Sequence, residues 1–315
     1  MFLNSVSHYL PETYIPNSHF IEKLGVSDEW IVKRSGIKTR TKASKFENTN
    51  TMGLEAVNTS IPSLPYKIEE IDLIISATYT PYDTIGTLAH FIQGHYNISN
   101  AICFSITSAC SSFINAAEIV EAFFQNGKAS KALIITAEHN SIYNNEDDKQ
   151  SGYLWGDGAA ATFFSKEKYS EKDFEIIDIH SEGLGNIGKG VDGVSLRPNE
   201  GGMKMPYGKD VFLHASKYML KEATEILIKN NLTLNDLNYL IPHQANIRII
   251  NNVAENMGLS ENQVLLNITE IGNTGCASSV IAFSQNIKKF KSNDKLLFSV
   301  FGGGYSSGSM LLKKI

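Results

Sequence analysis

The stretch Ser108-Ala109-Cys110-Ser111-Ser112-Phe113 joins an apolar run, Ala101–Ile106, to a helix-like segment, Phe113–Phe124. This order predicts a strand, a turn and a helix, with Cys110 at the helix N-terminus. Unpaired N–H groups and the positive end of the helix dipole favour a thiolate over a thiol at such a position. A thiolate is a strong nucleophile, so Cys110 is a candidate for covalent catalysis, whereas most free cysteines are small buried hydrophobic residues.

Short apolar runs and helix-like segments alternate along the chain. Continuous runs rich in Ile, Val, Leu and Phe indicate strands covered on both faces. Strands are predicted over Ile71–Ala77, Ala101–Ile106, Lys131–Ala137, Ala159–Phe164, Phe174–Ile179, Leu237–Pro242, Lys295–Phe301 and Ser309–Leu312. Helices are predicted over Ser111–Asn126, Val211–Asn230, Ile247–Met257 and Ser278–Phe290. The alternation is typical of an α/β layered fold.

A weak internal repeat divides the chain into two similar halves. Cys110 follows Ile71 by 39 residues, and Cys276 follows Leu237 by the same interval, again at the apparent start of a helix. Repeated spacing of this kind suggests two copies of one strand–loop–helix unit. We place the halves at 1–165 and 166–315, with the break in the charged stretch Lys166–Asp173. The alternative is a coincidence of generic α/β spacing.

Composition excludes several classes of function. The 315 residues are 42% hydrophobic and 19% charged, as in globular proteins. A net charge of −5 gives no support to a nucleic-acid role. The three cysteines suit a reducing compartment and have no zinc-site spacing, so no metal is expected. We find neither a signal-peptide pattern nor an apolar run near the roughly 18 residues of a membrane span, and the expected location is the cytoplasm.

Two later segments carry side chains suited to act with Cys110. In Pro242-His243-Gln244-Ala245-Asn246, the proline ends a strand and His243 stands at its tip, where α/β sheets place ligands. A histidine there can act as a general base or a hydrogen-bond donor, or can simply cap or fill the core. In Gly272-Asn273-Thr274-Gly275, the Asn273 amide can hold a developing oxyanion, or can serve as a turn residue. Cys110, His243 and Asn273 together form a set of a nucleophile, a base and a hydrogen-bond donor.

These residues and their neighbours resemble the β-ketoacyl-acyl-carrier-protein synthase III family over nearly the whole chain. Six segments match its motifs in the right order: Asp28–Ile37, Ser108–Cys110, Gly156–Ala159, Pro242–Arg248, Gly272–Thr274 and Gly302–Gly304. The resemblance implies a thiolase-like five-layer αβαβα fold and a homodimer. It also implies an acyl group carried on Cys110, with no cofactor beyond acyl-coenzyme A or acyl-carrier-protein thioester substrates.

The family's mechanism is decarboxylative condensation. By resemblance, His243 and Asn273 hold the carbonyl of a malonyl-type thioester on an acyl carrier protein while carbon dioxide leaves. The enolate then attacks acyl-Cys110, and the backbone N–H groups of Cys110 and Gly304 hold the oxyanion. Both side-chain donors would be neutral, which suits them to stabilise negative charge.

Further roles carry over from the family to matching positions. The positions that match the family's pantetheine- and nucleotide-binding residues are Trp30, Arg34, Asn246, Arg248 and Lys149. The residues expected to line the acyl pocket are Tyr82, Thr84 and Ile85. Lys149 stands where the family usually has an arginine, and lysine binds phosphate without the bidentate fork, which favours a carrier-bound donor over coenzyme A. Cys276 stands where a small Ala or Ser is usual, and we interpret it as structural.

The sequence leaves three functions open. The first is a condensing enzyme of fatty acid or secondary-metabolite (polyketide or resorcinol-like) biosynthesis, and the departures above favour the secondary pathway. The second is an acyltransferase that uses the same acyl-Cys110 without decarboxylation. The third is a silent partner subunit, against which the joint presence of Cys110, His243 and Asn273 speaks.

Overall fold

A nine-stranded sheet runs through the molecule, which is described by a computed structural model of all 315 residues. The strands are β1 (Phe2–Tyr9), β2 (Thr13–Pro16), β3 (Thr39–Lys42), β4 (Leu73–Ala77), β5 (Ile102–Ile106), β6 (Lys131–Glu138), β7 (Gly158–Ser165), β8 (Phe174–Gly183), β9 (Ser195–Arg197), β10 (Gly202–Lys204), β11 (Tyr239–Pro242), β12 (Lys295–Gly302) and β13 (Ser306–Lys314). The pairs β2–β3 and β9–β10 form separate two-stranded sheets.

Nine α-helices connect these strands. They are α1 (Ser18–Leu24), α2 (Asp28–Ser35), α3 (Thr49–Ser60), α4 (Leu88–His95), α5 (Ser112–Gln125), α6 (Gly208–Lys229), α7 (Ile247–Asn256), α8 (Ile268–Ile271) and α9 (Ser278–Gln285). All eight predicted strands and four predicted helices are present. The last helix is shorter than expected, because α9 ends at Gln285 and a 3₁₀ turn follows at Ile287–Lys289.

The large sheet consists of two parts with the same strand order. The first part runs β5-β4-β6-β7-β1, and the second runs β11-β12-β13-β8. The pairs β4–β6 and β11–β12 are parallel, whereas β6–β7 and β7–β1 in the first part, like β12–β13 and β13–β8 in the second, are antiparallel. A lone bridge between Leu240 and Val264 stands where the second part would have its fifth strand. The division into halves 1–165 and 166–315 remains our interpretation of this order.

Helices cover both faces of each part, which gives the five layers. Helices α3 and α4 pack outside the first part, and α6 with α7 covers the second. Helices α5 and α9 lie between the two parts, where buried side chains from both halves form the largest apolar cluster. The residues Phe174, Phe290 and Phe298 surround Phe283 of α9, with ring centroids 5.2–5.5 Å from it. The predicted αβαβα architecture is confirmed.

Strand β1 was not predicted, although it lies near the middle of the sheet between β7 and β8. Its buried positions hold Leu3, Ser5 and Ser7, so its inward face is mostly hydroxyl-bearing. Ser7 donates to the carbonyl of Ala56 at 2.5 Å, and Ser60 donates to Ser7 at 2.6 Å. The inward face of β1 is satisfied by hydrogen bonds to α3 and carries few apolar side chains. The strand therefore lacks the apolar pattern by which strands are recognised in a sequence.

Candidate active site

Cys110 lies in a tight turn between β5 and α5. The residue before it, Ala109, has φ +49, a left-handed conformation that is uncommon outside glycine. Ser112 stabilises the turn, because its hydroxyl accepts from the Ser108 N–H at 2.7 Å and donates to the Ala109 carbonyl at 2.6 Å. Helix α5 begins two residues after the cysteine, as the sequence predicted. The strained turn directs the Cys110 side chain into a cavity.

A glycine loop, Gly302–Gly304, packs directly against this turn. A Cβ at Gly302 would lie 2.6 Å from the Ser108 carbonyl oxygen and 3.0 Å from the Ser111 nitrogen, so only glycine fits. The Ser306 hydroxyl contacts that of Ser111 at 2.6 Å and ties the loop to the nucleophile turn. Gly304, with φ +89, lines the cavity beside Cys110. Its role as an oxyanion donor stays a prediction.

The expectation that Cys110 rests as a thiolate is wrong. Burial, with a smaller contribution from the Glu138 carboxylate, raises the pKa of the Cys110 thiol to about 12. The backbone N–H of Gly303 acts in the opposite direction but does not offset these effects. Desolvation of the charged form thus outweighs the helix terminus, and the sulfur is protonated at rest.

His243 follows β11 and is buried, and a hydrogen bond fixes the orientation of its ring. Its Nδ1 lies 2.8 Å from the Ser278 hydroxyl, which also accepts from the Gln244 N–H at 3.2 Å. Because no other acceptor contacts the Ser278 hydroxyl, we assign His243 Nδ1 as its acceptor and place the ring hydrogen on Nε2. Burial lowers the pKa of His243 to about 4, and the imidazole is neutral at physiological pH. A neutral Nε2–H is a hydrogen-bond donor.

Asn273 is held rigidly by its neighbours. Its backbone N–H donates to the Leu154 carbonyl at 2.8 Å, and its own carbonyl accepts from the Gly156 N–H at 3.0 Å. The side-chain Oδ1 accepts from the Gly275 N–H at 3.0 Å. Since the oxygen is occupied in this way, the Nδ2 amide group is left as a donor.

The structure brings Cys110, His243 and Asn273 together around one narrow pocket of about 50 Å³. Cys110 also lines a wider cavity of about 500 Å³ that continues away from the pocket. A sulfur nucleophile therefore stands between a pocket with two neutral donors and a chamber large enough for an acyl chain. This arrangement suits transfer of an acyl group through a covalent intermediate.

The predicted acyl-pocket residues divide between the cavity and the surface. Thr84 lines the wider cavity, beside Thr87. Tyr82 and Ile85 do not, because the turn that carries them projects outward and leaves them 66% and 88% exposed. Their role in shaping the acyl pocket stays a prediction.

The predicted pantetheine- and nucleotide-binding residues are spread over the surface near α2, α7 and one loop. Trp30 lies half-buried against Tyr153, and the Arg34 guanidinium covers its ring at 5.0 Å. Asn246 caps α7 by accepting from the Arg248 N–H at 2.8 Å. Lys149 is exposed in the loop after β6. Their binding roles remain predictions.

Three residues near the site were missed in the sequence. They are Ser278, which orients His243, and Tyr79 and Glu138, which stand at or behind the wall of the wider cavity. Glu138 had a signal, since it is a carboxylate directly after the apolar run Lys131–Ala137. No group of three or more His, Cys, Asp or Glu side chains is placed to hold a metal ion. None of the helices combines the length and apolarity needed to cross a membrane.

Comparisons with known proteins agree with this geometry. Two family models match, the 3-oxoacyl-[acyl-carrier-protein] synthase III model over residues 104–184 and its C-terminal model over residues 227–314. The β-ketoacyl-[acyl-carrier-protein] synthase III of Aliarcobacter butzleri is 34% identical over 98% of this chain and 96% of its own length. The crystal structure of 3-oxoacyl-[acyl-carrier-protein] synthase III from Aquifex aeolicus superposes with a TM-score of 0.92 at 32% identity, over 99% of each chain. The priming β-ketosynthase of a polyketide biosynthetic pathway superposes with a TM-score of 0.90 at 25% identity, over 99% of this chain and 96% of its own.

The fold and the cysteine that lines its central cavity define a thiolase-fold enzyme that transfers acyl groups. The chain belongs to the β-ketoacyl-[acyl-carrier-protein] synthase III family and is a condensing acyltransferase of that type.

Proposed function

We propose that Cys110 accepts an acyl group and joins it by decarboxylative condensation to a malonyl-type thioester on an acyl carrier protein. The observation that carries the proposal is the narrow pocket shared by Cys110, His243 and Asn273. A condensing enzyme needs a nucleophile beside donors that stabilise an enolate, and these three side chains meet both needs.

In the first step, the Cys110 sulfur attacks the carbonyl carbon of the donor thioester. The carbon–sulfur bond of the donor breaks, and the proton of the Cys110 thiol leaves with the departing thiol. The N–H groups of Cys110 and Gly304 hold the oxyanion of the tetrahedral intermediate. The product is acyl-Cys110, with its chain in the wider cavity of about 500 Å³.

In the second step, the malonyl-type thioester places its carbonyl oxygen against His243 Nε2 and Asn273 Nδ2. The bond to the carboxylate breaks, carbon dioxide leaves, and its electron pair forms an enolate held by the two donors. Because the imidazole and the amide are both neutral, neither readily protonates the enolate carbon. That carbon attacks the carbonyl carbon of acyl-Cys110, the carbon–sulfur bond breaks, and a β-ketoacyl thioester is released while the Cys110 sulfur takes up a proton from water to restore the thiol.

The biological role that we favour is the priming condensation of fatty acid biosynthesis. The Aliarcobacter butzleri relative is named a β-ketoacyl-[acyl-carrier-protein] synthase III, which supports formation of a β-ketoacyl group on an acyl carrier protein, and the shared fold of the polyketide-priming enzyme supports the same chemistry in secondary metabolism. The expected partners are an acyl carrier protein and a second copy of this chain. Lys149, which stands where the family usually has an arginine, favours a carrier-bound acyl donor over coenzyme A.

Intact-mass spectrometry tests the donor and the role. The protein is incubated with matched panels of acyl-coenzyme A and acyl-carrier-protein thioesters, and the mass added to Cys110 is read directly. We expect loading of short acyl groups, faster from the carrier protein. A panel in which only long or functionalised acyl groups load would assign the enzyme to secondary metabolism, and Cys110→Ala must abolish all loading.

Asn273→Ala tests the mechanism, because it removes one enolate donor and leaves the nucleophile in place. We expect normal acylation of Cys110 and a fall of about 10²- to 10³-fold in carbon dioxide release from malonyl carrier protein. Asn17→Ala is the matched control, since Asn17 is also buried and hydrogen-bonded but lies outside both cavities. Normal product formation by Asn273→Ala would refute the assignment. Acyl transfer without carbon dioxide release in the native protein would favour the non-decarboxylating alternative.

A further inference from the structure

The residue that follows the glycine loop is hydrogen-bonded to a carboxylate of α6. Tyr305, next to Gly304, is buried, and its hydroxyl donates to Asp210 Oδ1 at 2.7 Å. Asp210 lies in the first turn of α6 and accepts a second hydrogen bond, from the Lys189 N–H at 2.9 Å. The Lys189 N–H and, after it, the Tyr305 hydroxyl hold the pKa of Asp210 below its usual value, so the acceptor is charged at neutral pH. Hydrogen bonds to a charged acceptor are the stronger ones.

The Tyr305 side chain occupies a closely packed space. Its ring centroid lies 5.0 Å from that of Phe301 and 5.7 Å from that of His214. A Cβ at Gly193 would lie 2.5 Å from the Tyr305 hydroxyl, so the loop through Gly193 packs directly on it. The Tyr305 carbonyl accepts from the Leu184 N–H at 2.8 Å. Both the side chain and the main chain of Tyr305 are therefore held in one position.

Gly304 itself lacks such contacts. A Cβ built on it meets no atom beyond its chain neighbours within 4 Å, and its N–H donates no hydrogen bond within the chain. It lines the wider cavity beside Cys110, with φ +89. Because glycine is conformationally permissive, such a residue takes its direction from its neighbours. On one side a Cβ at Gly303 would lie 2.9 Å from Val194 Cβ, and on the other side stands Tyr305.

Asp210 also holds the segment that packs on the glycine loop from the other side. Lys189 immediately precedes the short 3₁₀ turn Gly190–Asp192, and Val194 lies two residues beyond that turn. Val194 lines both the narrow pocket and the wider cavity. One carboxylate on α6 thus fixes the residue after the loop and, through the Lys189 N–H, the segment that leads to Val194.

We propose that Asp210 and Tyr305 are positioning residues that direct the Gly304 N–H at the oxyanion of the acyl-transfer steps. The role rests on the proposed function, in which Cys110 carries the acyl group. It predicts a separation between steps. Acyl transfer to and from the sulfur forms an oxyanion that needs the Gly304 N–H, whereas decarboxylation forms an enolate that the two side-chain donors of the narrow pocket hold.

Tyr305→Phe tests this role, because it removes the hydroxyl and leaves the packed ring in place. The rate of Cys110 acylation is measured by intact-mass spectrometry over a range of acyl-carrier-protein concentrations. We expect the limiting rate to fall about tenfold, while the concentration that gives half of it changes by less than about twofold. Single-turnover carbon dioxide release from the pre-acylated variant should keep its native rate. Equal losses in acylation and decarboxylation would show a merely structural role and overturn the proposal.

Tyr66→Phe is the matched control, because the Tyr66 hydroxyl is also hydrogen-bonded in a buried position, to the Phe164 carbonyl, but lies outside both cavities. It should leave both rates unchanged. Asp210→Ala should slow acylation at least as much as Tyr305→Phe, and the double variant should be no slower than Asp210→Ala alone, because both changes act through one bond. Asp210→Asn keeps an acceptor oxygen and should restore most of the lost rate.

Three results would count against the inference. Native acylation by Tyr305→Phe would overturn it while leaving the proposed function in place. Losses that multiply in the double variant would do the same, since the two residues would then act independently. A native protein that takes up no acyl group on Cys110 would overturn the proposed function, and this role with it.

Discussion

At the scale of single residues, burial decides the state of the two groups that would share protons at this site. His243 and Cys110 have no opposite charge beside them, and each is held in its neutral form by loss of water. An imidazolium–thiolate pair is consequently not the resting state. The neutral imidazole is suited to donate to an enolate, and the neutral thiol must lose its proton during attack.

The low pKa of His243 gives a pH dependence that differs from that of an ordinary histidine. The imidazole is the active donor when neutral, and it becomes charged only as the pH falls towards its pKa of about 4. We expect single-turnover carbon dioxide release from pre-acylated enzyme to stay level between pH 8 and about pH 5. Pre-acylation removes the Cys110 proton from the measurement. A loss of rate centred near the unperturbed histidine pKa of about 6.5 would contradict this.

The three central residues could be predicted from sequence because each follows a recognisable strand or glycine turn. The raised pKa of Cys110 could not, since it depends first on burial by residues from distant parts of the chain and second on Glu138 of β6. The surface position of Tyr82 and Ile85 was equally hidden, because no pattern in Pro81–Phe91 fixes the direction in which that turn projects. A short motif in the sequence identifies a side chain, whereas its burial and its charged neighbours depend on residues that come together only in the folded protein.

At the scale of elements, the site depends on two turns that fit against each other. The turn from β5 to α5 carries Cys110, and the turn from β12 to β13 carries Gly302–Gly304. The strands come from different halves of the sheet, so neither turn can form the site alone. The Ser111–Ser306 contact at 2.6 Å and the lack of space at Gly302 fix their relative position.

Gly302→Ala tests this fit, because the added methyl would meet the backbone of the nucleophile turn at 2.6 Å. We expect the free energy of unfolding to fall by about 1–3 kcal/mol and Cys110 acylation to fall more than that loss explains. Gly94→Ala is the matched control, since a Cβ there meets nothing within 4 Å and should stabilise α4 by about 0.5–1 kcal/mol. Thermal unfolding and acyl loading by mass spectrometry measure both effects. Unchanged acylation in folded Gly302→Ala protein would contradict the argument.

Among the elements, apolar strands were predicted well and β1 was missed. The strands β6 and β7 are buried along nearly their whole length, so their composition alone identifies them. The buried positions of β1 include two serines, of which Ser7 bonds to Ala56 and Ser60 in α3 and Ser5 contacts the Ser63 hydroxyl just after that helix. A strand whose inner face is satisfied by hydrogen bonds gives no hydrophobic periodicity to detect.

At the scale of the whole molecule, the repeated strand order explains how distant residues meet. The nucleophile turn follows the edge strand of the first part of the sheet, while His243 follows β11 in the second. The helices α5 and α9 fill the space between the two parts, so the strand ends open onto one central site. The 39-residue interval indicated the repeat, but sequence spacing alone could not show that the two parts join through β1 and β8.

The edge strand β5 provides the last prediction, because its outer side has no partner within the chain. Large apolar side chains are exposed on it and nearby, including Ile102, Phe91 and Ile85. An unpaired apolar edge favours association with a second copy, and a symmetric dimer would cover the edges of both chains. We expect light scattering to give twice the chain mass of 34.8 kDa at micromolar concentration.

Ile102→Lys should weaken this dimer, because it places a charge on the edge strand that would pair with the second copy. Burying that charge in the interface would cost free energy. The matched control is Ile228→Lys on α6, where the isoleucine is 67% exposed on the outer layer of the other half of the chain. We expect the mass of Ile102→Lys to fall towards that of one chain on dilution, while Ile228→Lys stays dimeric. A native protein that is monomeric throughout, or equal dimer masses for both variants, would show that β5 is not the contact.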